Sequence, residues 1–238
     1  MKGEDGVKKL FAIIFSCFLL GSVFQISSAS ASTLSTKPSS AKVTIVNKQL
    51  GENKITYPQV KNTSNSTSIK KINTSLRNKA TKINNEVTKF LIEEQKNKDE
   101  WNNDLGPFIP WEWKSTYEVK YNNHGKLSIA YYDYTFTGGA HGMTAVSTDN
   151  YDVVTGKKVN LSSIIVSNSV AKVQQFVYKQ LQKKYSPLLI DSYEKINLGK
   201  ERTWVFSSNG VKLIFGQYEV GPYSIGITEI TVSSKFYQ

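Results

Sequence analysis

Seven apolar residues recur at spacings of three and four: Ile69, Ile72, Leu76, Ala80, Ile83, Val87 and Phe90. An α-helix turns once every 3.6 residues, so this spacing gathers all seven into one stripe. The opposite face carries Lys, Asn, Thr and Glu. Such a helix gains little stability alone in water and must lay its stripe on another apolar layer. The spacing predicts a long helix over 68–96 with Ser68 as its N-cap, covering a sheet. Core packing accounts for the stripe without a ligand.

The sheet partners are legible on either side. Val43-Thr44-Ile45-Val46 within 42–50 and a second run over 53–60 read as strands. Pro58 places the second near a sheet edge, because proline donates no ladder hydrogen bond. After a loop over 101–110, Trp111-Glu112-Trp113 opens a strand in which Tyr117, Val119 and Tyr121 alternate. Asn122 to Gly125 turns the chain, and Leu127, Ile129 and Tyr131 alternate back. Thr137 to Gly142 is glycine-rich, a strand follows over 145–153, and 158–165 reads as strand or extended chain. Asn168 is the expected cap of a second helix striped by Val170, Val173, Phe176, Val177 and Leu181. Pro187 stops it, with a short helix expected over 188–196. Two strands, 202–206 and 211–215, flank Ser208-Asn209-Gly210, a hairpin signal, and 225–232 is the last strand. Hairpins dominate and no βαβ alternation occurs. The fold class is therefore α+β: antiparallel sheets each covered by a helix, in two small subdomains packed together.

The N-terminus reads as an export signal. Lys8 and Lys9 precede an uncharged run from Leu10 to Ile26, and Ala29 and Ala31 form an A-x-A cleavage site. Residues 1–31 are expected to be a signal peptide cleaved after Ala31, and 32–41 a Ser/Thr-rich leader. The run sits at the short limit for a bilayer span, so the chain meets a membrane only if that leader is uncleaved. Cys17 is the only cysteine and lies inside the run. Disulfides, thiol catalysis and zinc–thiolate sites are thereby excluded from the exported part. The formal net charge is +11, and Lys2, Lys8 and Lys9 against Glu4 and Asp5 account for +1 of it. The remainder draws the protein toward anionic wall polymers, lipid headgroups or acidic partners. Its lysines are scattered, and export removes it from nucleic acid.

The chain offers no convincing catalytic set. His124 lies in a hairpin turn, and His141 sits in Gly138-Gly139-Ala140-His141-Gly142. A lone imidazole there is a general base, a metal ligand or a turn residue bonded to the backbone, and the glycines favour the last. Asp133, Asp149 and Asp152 lie near in sequence but match no ligand spacing. Glu112, Asp133 and Glu219 are carboxylates that a glycosidase could use, but sequence does not pair them. The glycine segment lacks the Gly-Lys-Ser/Thr end of a phosphate loop. Trp101, Trp111 and Trp113 surround a proline-containing loop, as core residues or as flat rings for stacking on sugars or proteins. No cofactor or metal is implied.

Several segments then resemble a known family. Tyr57-Pro58-Gln59-Val60 and Ile72-Asn73 resemble its N-terminal half. Its central signature is matched by Thr137-Gly138-Gly139-Ala140-His141-Gly142, Asn150-Tyr151-Asp152, Thr155-Gly156-Lys157 and Leu161-Ser162-Ser163-Ile164. Tyr218 to Ile227 is similar to its closing motif, with Gly221 where alanine is usual. The family is the paired domain of unknown function found in the extracytoplasmic region of the anti-sigma factor RsiV and, in part, beside the catalytic domain of the peptidoglycan deacetylase PdaC. The resemblance implies a two-part α+β fold. It also implies lysozyme binding of the RsiV kind, with Pro222 and Tyr223 as candidate contacts. No counterpart of the sigma-binding segment of RsiV or of the deacetylase domain of PdaC is expected, so the resemblance is to the sensing or binding module alone. The expected division is 42–136 for a PdaC/RsiV-like part and 137–238 for an RsiV-like part.

The expectation is a secreted, non-catalytic cell-envelope binding protein. Its ligand is cell-wall glycan or a lysozyme-like protein, and its contact residues are His141, Pro222, Tyr223, Trp111 and Trp113. The alternative is a wall-glycan-acting enzyme using His141 with nearby carboxylates.

Overall fold

The computed structural model describes residues 42–62, 66–102 and 106–237, and the expected export signal (1–31) and leader (32–41) lie outside them. Two strands, β1 (Ile45–Leu50) and β2 (Ile55–Val60), form an antiparallel hairpin. Helix α1 (Thr67–Asp99) follows. Strands β3 (Glu112–Asn123), β4 (Lys126–Phe136), β5 (Met143–Asp152) and β6 (Lys157–Lys158) make an antiparallel sheet in that order. Helix α2 (Val170–Lys184) leads to a second sheet, β7 (Trp204–Ser207), β8 (Gly210–Phe215) and β9 (Thr228–Ser233). The architecture is the expected α+β layout: among the described residues, three antiparallel sheets, counting the β1–β2 hairpin, and two helices, with α1 packing on both that hairpin and the four-stranded (first) sheet.

Each helix buries the stripe read from its spacing. Ile69, Ile72, Leu76, Ala80, Ile83 and Val87 of α1 pack with Ile55, Tyr57 and Val60 of β2 and with Leu127, Ile129, Tyr131 and Tyr151. Phe90 is only half-buried, and the helix runs on past Val87 to Asp99 without another buried residue. In the second core, Val173, Val177 and Leu181 of α2 pack with Val211, Leu213, Phe215, Ile230 and Val232. Strand β5 pairs with β4 from Lys126↔Asp152 to Thr135↔Met143, so the first sheet continues across residue 137. The second core begins near Leu161.

Local expectations failed where capping and turn chemistry decide. Helix α1 starts earlier than expected: Ser66 is the N-cap, and Ser68 lies inside the first turn with its hydroxyl 2.8 Å from that of Ser66. Ser169, not Asn168, caps α2, because Ser167–Ser169 already turns as a 3-10 segment. The span 188–196 forms only a 3-10 turn, Tyr193–Lys195, and 158–165 yields a two-residue strand and a 3-10 turn, Leu161–Ser163. The β3–β4 turn is two residues, His124 (φ 49°) and Gly125 (φ 68°), the doubly left-handed turn that matches strand twist. In the β7–β8 hairpin the turn is Ser208-Asn209, and Gly210 already pairs with Ser207.

The two sheets meet through polar side chains. Strand β7 is an edge strand, so one row of its backbone groups lacks a ladder partner. Side chains of β4 and β5 supply the partners. Thr148 Oγ1 accepts from Trp204 N (3.2 Å), Asn150 Nδ2 donates to Trp204 O (2.7 Å), and Ser128 Oγ accepts from Phe206 N (2.9 Å). Ser128 Oγ in turn donates to Asn150 Oδ1 (2.6 Å). Both Ser128 and Asn150 are buried. A charged clasp closes a second seam, where Lys120 of β3 and Lys212 of β8 both reach Glu229 of β9, at 2.9 and 2.8 Å.

Two outcomes are expected. Asn150→Leu leaves Trp204 O unpaired in a buried seam and should cost about 1–3 kcal/mol in denaturant unfolding. The second concerns pH. Burial alone would raise the Glu229 carboxyl, but Lys212 and Lys120 outweigh it and hold it below its ordinary value of 4.5. Its contribution is therefore full above about pH 4.5 and is lost as pH falls through the depressed folded value. Denaturation midpoints taken from neutral pH downward should fall less steeply in Glu229→Gln than in the parent.

Candidate functional site

Two segments distant in sequence meet beside the first sheet. One is the glycine-rich connection from β4 to β5, ending in His141-Gly142. The other is the connection from β8 to β9, residues 216–227. Tyr223 stacks on His141 with ring centroids 3.8 Å apart and planes 18° apart. Tyr218 completes the group, its centroid 5.8 Å from that of Tyr223 and 6.3 Å from that of His141. Both His141 and Tyr218 are exposed.

Hydrogen bonds fix the arrangement. Gly142 O lies 3.1 Å from His141 Nδ1 and accepts from Tyr223 OH at 3.2 Å. A carbonyl only accepts, so the bond at Nδ1 places the proton there. In the neutral ring Nε2 is then free to accept from Tyr218 OH, 3.3 Å away. Glycine is required at 142 by close approach, since a Cβ there would meet the Tyr134 ring at 2.4 Å. The second segment is equally constrained. Tyr218 holds φ 62°, a left-handed conformation that a bulky residue adopts only when its surroundings enforce it. The enforcement is visible. Glu219 Oε2 accepts from Gly216 N (2.8 Å), Arg202 Nη2 bonds Glu219 Oε1, and Gln217 Oε1 accepts from Thr144 N (2.6 Å).

A cleft of about 450 Å³ is lined by Met143, Gln217 and Glu219, chain neighbours of Gly142 and Tyr218, while His141, Tyr218 and Tyr223 themselves do not line it. Trp113, Glu86 and Asp133 line it too. Trp113 Nε1 is buried without a hydrogen-bond partner among the described residues. Burial raises the Asp133 carboxyl, and Glu86 adds to the rise, against the pull of Ser115 and Lys79. Ser115 Oγ donates to Asp133 Oδ1 at 2.6 Å.

The residues singled out from sequence divide accordingly. His141 and Tyr223 are in direct contact, and Pro222 caps the 3-10 turn Tyr223–Ile225 that carries the tyrosine. Trp113 lines the cleft, whereas Trp111 packs on Phe90 of α1 (centroids 5.3 Å) and does not line it. Trp113 also meets Phe90 edge-on. Trp101 is occupied within its own loop, packing on Phe108 and donating to Gly106 O. Asp133 and Glu219 share the cleft, and Glu112 does not line it. Asp149 bonds Lys158, and Asp152 bonds Lys126. Among the described residues no group of three or more His, Cys, Asp and Glu side chains is placed to hold a metal ion. Tyr218 opens the closing motif but was not singled out as a contact, and Gln217 was missed, because neither a left-handed tyrosine nor a side chain bonded across 73 residues leaves a local pattern.

Two readings of this geometry can be checked. The His141 ring protons lie over Tyr223, so Tyr223→Leu should move them downfield in proton spectra as the ring current is lost. Gly142→Ala forces Tyr134 aside and should cost about 1–3 kcal/mol, measured by thermal or denaturant unfolding.

The same chain is similar to two family models, Deacetylase PdaC over residues 46–144 and the protein of unknown function DUF3298 over residues 162–235. Among solved structures it is similar to a DUF3298 family member from Bacteroides fragilis at 15% identity, covering 81% of this chain and 89% of that one, with a TM-score of 0.52. Another similar structure is a DUF3298 family protein from Pseudomonas aeruginosa at 15% identity, covering 83% and 93%, with a TM-score of 0.48. No curated protein matches the chain. Among the described residues no helix is long and apolar enough to cross a membrane. The first part of the chain is thus similar to the PdaC family model and the second to the DUF3298 model, and the Bacteroides fragilis structure shares the α+β fold.

Proposed function

We propose that this domain works outside the cytoplasm as a non-catalytic binding module of the cell envelope, and that its ligand is cell-wall glycan. The observation that carries the reading is the group formed by His141, Tyr218 and Tyr223 beside the 450 Å³ cleft. Exposed flat rings stack on the apolar faces of sugars, and the neighbouring amide, hydroxyl and carboxylate groups supply hydrogen bonds to sugar hydroxyls. Thr135, Thr144, Gln217 and Glu219 provide such groups here. Backbone strain at Tyr218 supports a functional role, since strain of this kind collects at binding sites. The apolar run near the N-terminus and the PdaC-type half both favour an extracytoplasmic location.

A lysozyme-like protein is the second reading, and a specific observation favours it. A chain of net charge +11 repels a basic partner at long range. The cleft is locally acidic, with Glu86, Asp133 and Glu219 in its lining, which offsets that repulsion at the contact. The enzymatic alternative has less support. Both hydrogen bonds of the His141 ring run to Gly142 O and Tyr218 OH, not to a carboxylate that would orient it as a base.

Co-sedimentation with purified peptidoglycan and capture on immobilised lysozyme separate the two ligands. Tyr218→Ala and Tyr223→Ala should each weaken the productive interaction at least ~10-fold with the fold intact. Binding to neither material removes the proposal's support, and release of soluble fragments from walls by the purified protein returns the enzymatic alternative.

A further inference from the structure

The chain has two arginines against 28 lysines, and one of the two, Arg202, is almost wholly buried, its side chain 6% exposed. Its guanidinium lies over the ring of Phe215, 4.6 Å from the centroid, and its Nη2 bonds Glu219. Its Nε and Nη1 are buried with no partner among the described residues. A buried cation with two idle donors is a costly arrangement, and in a folded protein it commonly marks a missing ligand.

A cavity of about 200 Å³ adjoins it. Arg202, Lys158 and Lys200 line this cavity, with Thr148 and Asn160 as neutral polar neighbours. Two acids line it as well, Asp149 and Glu201. Asp149 is already satisfied. It accepts from Lys158 Nζ at 2.6 Å and from Tyr151 OH at 3.2 Å. Glu201 is exposed to water. Lys200 is as exposed as Glu201, so the cavity offers one exposed cation beside a guanidinium whose Nε and Nη1 are buried at its wall. Three cations and neutral hydrogen-bonding groups around a small, polar hollow, with one of its two acids already paired, suit a compact tetrahedral oxyanion. The high net positive charge steers such ligands toward the surface from a distance.

We propose that the cavity lined by Lys158, Lys200 and Arg202 is a binding site for a phosphate group, free or carried by an anionic polymer. The site is separate from the aromatic group of His141, Tyr218 and Tyr223 and does not depend on that group's ligand. Arg202 touches both places, since Glu219, its partner, lines the larger cleft.

Arginine Nε–H resonances test this directly, because only Arg77 and Arg202 contribute and Arg77→Lys leaves one. Inorganic phosphate titrated into the full chain at constant ionic strength should move the Arg202 signal saturably and leave the Arg77 signal in place. Lys200 is exposed, so Lys200→Glu preserves the fold, checked by an unchanged melting temperature, and should weaken the effect ~10-fold or more. Poly(glycerol phosphate) in a second arm identifies the source. Displacement of inorganic phosphate by the polymer assigns the site to polymer phosphodiesters, and its failure assigns the site to the free ion. The proposal is overturned if phosphate leaves the Arg202 signal unmoved, if chloride moves it equally, or if Lys200→Glu titrates like the parent.

Discussion

Edge strands are hazardous because their unpaired backbone groups invite further strands. In this protein the free edge of β7 is closed by side chains rather than by another strand. Thr148, Asn150 and Ser128 stand on the back of the first sheet and bond the main chain of Trp204 and Phe206. That seam explains why polar residues lie on the buried back face of a sheet whose front packs on α1. Each of them is paired, and Asn150 uses both ends of its amide, since it also accepts from Ser128. Apolar replacements would keep the volume and lose the direction. Hydrogen bonds fix how one sheet registers on the other, which apolar contact alone does not do.

The candidate site depends on that register. His141 belongs to a connection of the first sheet, while Tyr218 and Tyr223 belong to a connection of the second. Their rings stack only when both sheets are correctly docked. Two further ties cross the same region, Thr144 N to Gln217 Oε1 and Tyr223 OH to Gly142 O. The clasp of Lys120 and Lys212 on Glu229 acts at the other seam. Burial of these ions is partial, so the clasp orients the sheets more than it stabilises them.

How much of this was legible in the sequence follows from the range of each interaction. The stripes of α1 and α2 and the alternation of β3 and β4 are periodic, local signals, and they placed both helices and the main hairpin. Helix starts at Ser66 and Ser169 were misread because several Ser and Asn residues compete at each start, and neither cap uses its side chain. The span 188–196 lacks a helix because its apolar residues serve the second core one by one: Leu188 and Ile190 pack against it, and Ile196 is buried in it. Pro222 and Tyr223 came from motif resemblance and His141 from its place in the glycine-rich segment, and geometry set His141 against Tyr223. Trp111 and Trp113 were legible as neighbours at a strand start, but Trp111 lies just outside β3 and their shared attachment to Phe90 was not legible. Tyr218, Gln217 and the Arg202–Glu219 pair rest on contacts far apart in the chain, which no window of sequence displays.

Helix α1 is 33 residues, about 50 Å, yet its buried contacts end at Val87. Beyond that point, among the described residues, Phe90 packs against the tryptophans and Glu94 accepts from Trp111 N. One continuous helix thus contains two thermodynamic regimes. Amide protons over the buried turns exchange with solvent only when the core opens, whereas those of the last three turns exchange through fraying from the free end. The protein carries a built-in gradient of protection along a single rod, steep at Val87 and independent of any ligand.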